Sequence, residues 1–511
     1  MSDVRGDLTD ELVDASVWSD TMLEDTGIPV HDTPLVTIGG GLGSFTLVDT
    51  LRIAGLSTAQ IRVLTDIDYP HQTYSYLARV SQIPDHERLR SDSASVLDNI
   101  WGWPSYALRE AFAAKRPREF AAPLFQVGTE PVLTDFYTPR AGEVYRSVER
   151  ESPRIAWDSM LAKGVVRMVR RRYGGGYFSI LTPPEGSSTT RRVAFRSSYV
   201  HIAVGYPGLR FLPDLQEYRQ RHGDYSRVVN AYEPHDHVYE DLIRRPGVVV
   251  VRGGGIVSSR ILQRLIEDIE HNGARTTILH LFRTYIGAPH GPSIFMRRQG
   301  GDGFAYQGFN WPKAAWGGQL KERLENLEGK DRADLLGIMG GTNTPKRKLW
   351  QEQLARAQAN GSYYAYQGEV DEVVPGLDRK LVTRLHAKDG SMLEVPADYI
   401  VDATGLEGTL RDHRLLADLL DHCGAGQNPL GRLDVERTFE VRGTASLPGR
   451  MYASGSITLG GYYAGVDSFL GLQYAALAIA DDLARHRFCP RIGLGRSVSQ
   501  WWRWVRNRPP D

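Results

Sequence analysis

Residues 34–66 read PLVTIGGGLGSFTLVDTLRIAGLSTAQIRVLTD. A β-branched run ending in glycines, an apolar stretch with helical spacing and a second β-branched run spell strand, tight turn, helix, strand. Gly39, Gly41 and Ser44 occupy the three key positions of a GxGxx[GAS] turn directly after the strand LVTI. The first position needs glycine for the sharp reversal, and the second lets the backbone approach a pyrophosphate. The third must be small so that helix packs on strand. Gly43 lies in the same turn and joins the candidate phosphate contacts. The helix starting near Leu42 aims unpaired N–H groups and its positive dipole end at that phosphate. A carboxylate at the end of the second strand is then needed for the ribose hydroxyls. VLTDID offers Asp66, 27 residues after Gly39, which is preferred to Asp68.

The unit recurs over residues 247–283 as GVVVVRGGGIVSSRILQRLIEDIEHNGARTTILHLFR, with the first glycines 214 residues apart. Gly253, Gly255 and Ser258 stand in the same frame, and the second strand ends at Arg283. A guanidinium in place of the ribose carboxylate suits a 2′-phosphate, which favours NADPH over NADH. Arg252 interrupts the apolar strand just before the glycines and either binds phosphate or caps the turn. Two further segments carry strand-to-glycine transitions. ADYIVDATGLEG (397–408) runs into Ala403, Thr404 and Gly405, and GRMYASGSITLGG (449–461) enters a glycine-rich loop at Gly455 and Ser456 before an alanine-rich helix. Between the two nucleotide units, VVRMVRRRYGGGYFSIL (165–181) and RRVAFRSSYVHIAVGY (191–206) read as antiparallel strands forming a small sheet on the first domain.

A chain of 511 residues exceeds one core, so several domains are expected. Its 61 basic residues balance 61 acidic ones, which gives no global attraction for nucleic acid. Cys423 and Cys489 are too few and too far apart for a disulfide framework, a four-ligand zinc site or a CxxC dithiol relay, and no metal is expected. The N-terminus lacks a signal-peptide pattern and no apolar run reaches a membrane span, so the expected location is cytoplasmic. Residues 1–33 hold nine acidic side chains (among them Asp3, Asp10, Glu11 and Asp14) against Arg5, the composition of a solvated arm or loose helix. The tail 489–511 ends in SQWWRWVRNRPPD. Either it lays Trp501, Trp502 and Trp504 on its own domain, or it docks on a partner, a second copy or a membrane surface.

Taken in order, these segments resemble the two-dinucleotide-binding-domain flavoproteins, in particular the branch of flavin-containing monooxygenases and ornithine/lysine N-hydroxylases. The likeness spans about residues 34–488. VHIAVGYPGLRFLP (200–213) looks like the family's first crossing strand and IVDATG (400–405) like its return; in YASGS, Ser456 replaces the family's aspartate. The resemblance implies an α/β fold of two Rossmann-like domains with three-layer ββα build, the NAD(P)H domain inserted in the FAD domain. Its implied boundaries are FAD domain 34–210 and 396–488, and NAD(P)H domain 211–395 with a helical insertion containing Trp311, Trp316 and Trp350. The first turn, Asp66, Gly455 and Ser456 would serve FAD; Gly253, Gly255, Ser258 and Arg283 would serve NADPH; and Thr404 and Gly405 would help close the cofactor site. The monooxygenase fingerprint FxGxxxHxxx[WF] is echoed by Val229, Ala231, His235 and Tyr239, making His235 a candidate catalytic residue and otherwise, with His237, a partly exposed loop histidine. The implied chemistry is hydride transfer from NADPH to FAD and insertion of an oxygen atom from O2 into a small molecule. The rivals are a flavin-dependent NAD(P)H reductase and a non-catalytic nucleotide-binding protein.

Overall fold

The computed structural model describes residues 6–89, 95–102, 106–113, 117–129, 139–188, 190–289, 300–304, 306, 318–339, 348–406 and 408–511. Every residue of the strand Leu35–Ile38 is buried. A run that is apolar on both faces is what a parallel sheet covered on two sides demands. That strand is central in a five-stranded parallel sheet whose order is Arg450–Ala453, Tyr199–Ile202, Leu35–Ile38, Ile61–Thr65, Leu161–Lys163. The helix Leu42–Ala54 follows the first glycine turn and packs against the helix Phe469–Arg485, so the C-terminal segment completes the first domain.

The second sheet repeats this plan. Val228–Asn230, Tyr399–Asp402, Gly247–Arg252, Thr276–Phe282 and Tyr363–Pro375 are successive parallel neighbours, with the turn strand again in the middle. In both domains an antiparallel excursion leads back to the strand beside the turn strand. In the second it is Leu381–Ala387 and Met392–Ala397; in the first it is Val165–Arg172, Tyr177–Thr182 and Val193–Ser197. Tyr399–Asp402 therefore belongs to the second sheet. The return to the first domain begins at Ala403 rather than at 396.

Residues 6–33 are no solvated arm. Leu12, Trp18, Leu23 and Ile28 are buried against Phe178, Ile180 and Ala194 of the antiparallel sheet. Val17–Trp18 and Val30–Asp32 pair in parallel with its two edges. The acidic side chains face outward, where Asp20 and Asp32 pair with Arg172 and Arg196. Burial of Trp18 and its neighbours outweighs the charge, because the charged groups never leave water. Asp3 and Arg5 lie outside the described residues.

The chain crosses between domains twice, over 203–212 and 403–413, and the crossings touch at two glycines. A Cβ on Gly408 would lie 2.5 Å from the backbone nitrogen of Gly208. Asp402 ties them further, accepting from the Leu212 N–H (2.8 Å) and from the Thr404 N–H and hydroxyl (3.1 and 2.6 Å). Of the helical insertion, Lys348–Ala359 buries Trp350 on the second domain. Gly318–Asn326 and Gly329–Met339 instead reach the first domain's glycine-rich loop: the Arg332 guanidinium stacks 3.6 Å from the Tyr462 ring centroid, and the Tyr462 hydroxyl donates to Glu328 at 2.6 Å. Trp311 and Trp316 lie outside the described residues.

Candidate functional site: two dinucleotide turns

Gly39 has φ +95°, and a Cβ on it would lie 2.4 Å from the Ala203 carbonyl oxygen. Only glycine can stand there. Gly41 is the opposite case, with an ordinary φ of −76° and nothing within 4 Å of the space its Cβ would fill. It caps the helix Leu42–Ala54 without any side-chain hydrogen bond, so the helix opens with free N–H groups. Bare backbone, uncapped donors and open space are what a pyrophosphate requires. A Cβ on Gly43 would approach the Ala203 side chain at 3.2 Å and the Ser454 hydroxyl at 3.3 Å, so this glycine serves packing beneath the turn. Asp66 stands exposed immediately after the strand Ile61–Thr65, while Asp68 pairs with Lys163.

Ser44 does more than fit. Its hydroxyl is buried and 2.8 Å from the Thr37 hydroxyl, which is 2.9 Å from His201 Nδ1; His201 Nε2 is 2.9 Å from the Ser454 hydroxyl. This buried hydrogen-bonded relay locks turn, central strand, neighbouring strand and the last strand's end to one another. Sequence reasoning missed it, although a lone polar residue in LVTI and another in YVHI were its signal: a polar group in a fully buried strand must find a partner. Burial drives His201 down to about 3, and His280, which plays a related part under the second turn, down to about 4. Both imidazoles are neutral in the folded protein but take up protons below about pH 6.5 when unfolded. Their lowered values therefore give stability that is present above pH 6.5 and lost as pH falls toward 4. Chemical denaturation of the wild type should show this decline, and His201→Gln should flatten it; an unchanged slope in the variant would refute the assignment.

The second turn repeats the backbone plan of the first. Gly253 has φ +134°, with its Cβ position 2.4 Å from the Ala403 carbonyl oxygen. Gly255 has nothing within 4 Å and caps the helix Ile256–His271 without a side-chain bond. Ser258 is buried and donates to the Gly255 carbonyl at 2.8 Å. His280 Nε2 donates to the Gly253 carbonyl at 2.5 Å, and its Nδ1 accepts from the Tyr363 hydroxyl at 2.9 Å. Arg283 is exposed just past the strand Thr276–Phe282. Arg252 neither caps the turn nor faces outward: it is buried in an ion pair with Asp214. A cation in an apolar strand needs such a carboxylate.

Aromatic and acidic side chains follow the carboxyl ends of strands in both sheets. Tyr74, Tyr206 and Tyr232 follow Ile61–Thr65, Tyr199–Ile202 and Val228–Asn230, and Asp467 follows Arg450–Ala453. The Tyr206 hydroxyl donates to Asp467 at 2.9 Å, and the Tyr74 ring lies 5.4 Å from Phe469. Burial raises the Tyr74 and Tyr232 phenols, the latter to about 12, while Tyr206 is 36% exposed and held by Asp467. Gly455, with φ +83°, turns the chain so that Ser456 is buried, and the Ser456 hydroxyl has no hydrogen-bond partner among the described residues. Gly405 has φ +122° with open space before it, whereas the Thr404 hydroxyl is committed to Asp402. His235 is buried at the start of the helix Asp236–Arg244, donating from Nδ1 to the Glu233 carbonyl (2.6 Å) and accepting at Nε2 from Tyr239 (2.9 Å). It is not a partly exposed loop histidine, and both its nitrogens are engaged; His237 is exposed.

No protein-family model matches the sequence, and no curated protein matches it. The architecture nevertheless defines a class: this is the fold of two-dinucleotide-binding-domain flavoproteins. Among solved structures the chain is similar to the ornithine N-hydroxylase of Kutzneria sp. 744, determined with reduced FAD, NADP+ and L-ornithine, at a TM-score of 0.65 and 14% identity over 89% of this chain and 100% of that one. It is also similar to the FAD-bound cadaverine monooxygenase of desferrioxamine biosynthesis from Erwinia amylovora (TM-score 0.64, 12% identity, 90% and 96% covered). A bacillithiol disulfide reductase from Bacillus cereus matches at 0.53 and 15% identity over 89% and 100%. Both chemistries therefore share this fold.

Proposed function

We propose that this chain is a FAD-dependent, NADPH-using monooxygenase of the N-hydroxylase kind, acting on a small molecule with O2. The observation that carries the reading is the pair of matched turns, each with an uncapped helix and an open second glycine. FAD would be held at Gly39, Gly41, Asp66, Gly455 and Ser456, with Gly43 and Ser44 packing beneath the turn and Ser456 offering a buried hydroxyl that lacks a partner among the described residues. NADPH would be held at Gly253, Gly255 and Arg283, with Ser258 fixing the turn. FAD, when bound, supplies the redox chemistry between NADPH and O2. The protein's share is to hold the cofactors and to present substrate, for which Tyr74, Tyr206, Tyr232 and Asp467, following strand ends of the two sheets, are the candidates. No step is assigned to His235, whose ring nitrogens are engaged by the Glu233 carbonyl and the Tyr239 hydroxyl.

The test is turnover under 18O2 with NADPH and candidate amines. One labelled oxygen in the product supports a monooxygenase; NADPH oxidation without label in any product supports the reductase reading, which the likeness to the bacillithiol enzyme keeps in play. Coenzyme choice has its own test. Arg283→Ala should weaken NADPH binding by about 1.5 to 3 kcal/mol while leaving NADH unchanged, because only NADPH carries the 2′-phosphate. Equal losses for both, measured by titration of the flavin-loaded protein, would remove Arg283 from that role.

A further inference from the structure

The C-terminal helix Leu494–Val505 has two apolar faces, and among the described residues only one of them is packed against the rest of the protein. On the inner face Trp504 is buried, donates from its indole to the Asp98 carbonyl at 3.1 Å and lies under the Arg109 guanidinium at 5.0 Å. Trp101 donates to the Ser497 hydroxyl at 2.8 Å, and Arg496 donates to the Ile53 carbonyl at 2.7 Å. On the outer face Leu494, Val498, Trp502 and Val505 are 89%, 57%, 50% and 47% exposed. Spacings of four, four and three residues put them in one stripe along the helix. Trp501 lies beside it, its ring 4.9 Å from that of Trp502.

The charge around this stripe has one sign. From Arg485 to the end of the chain there are seven arginines and one acidic residue, Asp511, which pairs with Arg496 and Arg503. Arg487, Arg506 and Arg508 face no carboxylate among the described residues, and Arg506 stacks over Trp502 at 5.5 Å. An apolar stripe with indoles, bordered by unpaired guanidinium groups and held parallel to the protein surface, has the make-up of a helix that beds into the headgroup–acyl boundary of an anionic bilayer. A nucleic acid would use the arginines but leave Leu494, Val498 and Val505 in water. No described helix is long and apolar enough to cross a membrane, so this contact would be peripheral.

We propose that the outer face of Leu494–Val505 is a docking surface for anionic lipid. The full-length protein should sediment with phosphatidylcholine vesicles containing about 30% phosphatidylglycerol, stay in solution with pure phosphatidylcholine, and be released by about 0.5 M salt. The double variant Val498→Ser, Trp502→Ser should lower vesicle partition at least about tenfold, since both side chains lie outside the packed face. An unchanged melting temperature would show that the variant is folded; Arg506→Gln with Arg508→Gln gives a second, charge-only test with the same expected direction. Failure to bind anionic vesicles, or equal binding by both variants, overturns the proposal. So does a lipid-indifferent protein whose dimer, seen by sedimentation, is dissolved by the double variant, because the face would then join two copies.

Discussion

Gly41→Val is expected to give a folded protein that retains no FAD, with affinity reduced at least about a thousandfold, or some 4 kcal/mol. The substitution is clean because the backbone at Gly41 is ordinary for any residue and nothing lies within 4 Å of the new side chain's first carbon. Among the described residues that space is left free for a ligand. Its neighbour provides the contrast: Gly39→Ala drives a Cβ to 2.4 Å from the Ala203 carbonyl at a left-handed φ, which should cost about 2 to 5 kcal/mol of stability. Flavin absorbance after gel filtration and a melting curve separate the two effects. Stoichiometric FAD on folded Gly41→Val would remove the first turn from the cofactor site.

Gly255→Val is expected to leave FAD in place and abolish reduction by NADPH, with the apparent affinity for the nicotinamide cofactor falling at least about a hundredfold. Gly255 repeats the environment of Gly41, with open space before it and an uncapped helix behind it, so the same steric argument holds in the other domain. Dithionite should still reduce the bound flavin of this variant, which distinguishes loss of the donor site from loss of the flavin. NADPH reduction at the unaltered rate would mean that the second turn is structural.

The two turns were legible because their requirements are local. Gly39, Gly41, Gly253 and Gly255 belong to reversals of a few residues, which sequence displays, although the Ala203 and Ala403 carbonyls that crowd Gly39 and Gly253 lie far along the chain. What escaped notice depends on distant partners. The Thr37–His201 bond joins residues 164 apart, and Arg252 finds Asp214 on a helix 38 residues earlier. In the N-terminal segment the count of carboxylates obscured Leu12, Trp18, Leu23 and Ile28, whose burial against the antiparallel sheet decides its structure. His235 shows another limit: the spacing that echoes a fingerprint displays neither the burial of the ring nor its bonds to the Glu233 carbonyl and the Tyr239 hydroxyl.

The adjacency of the two crossings at Gly208 and Gly408 bears on how the chain reaches its final form. Every strand of the second sheet lies between Val228 and Asp402, so that domain is contiguous and can fold as soon as it has been made. The first sheet is interrupted: Arg450 pairs with Tyr199, 251 residues earlier. Closing so long a loop of flexible chain carries an entropic cost that grows with its length. Once the inserted domain has folded, however, its entry and exit stand side by side, and the effective loop shrinks from 251 residues to the 9 from Tyr199 to Gly208 and the 42 from Gly408 to Arg450. The second domain thus acts as a clamp that delivers the last strand to the first domain, and lesions that slow its folding should delay completion of both.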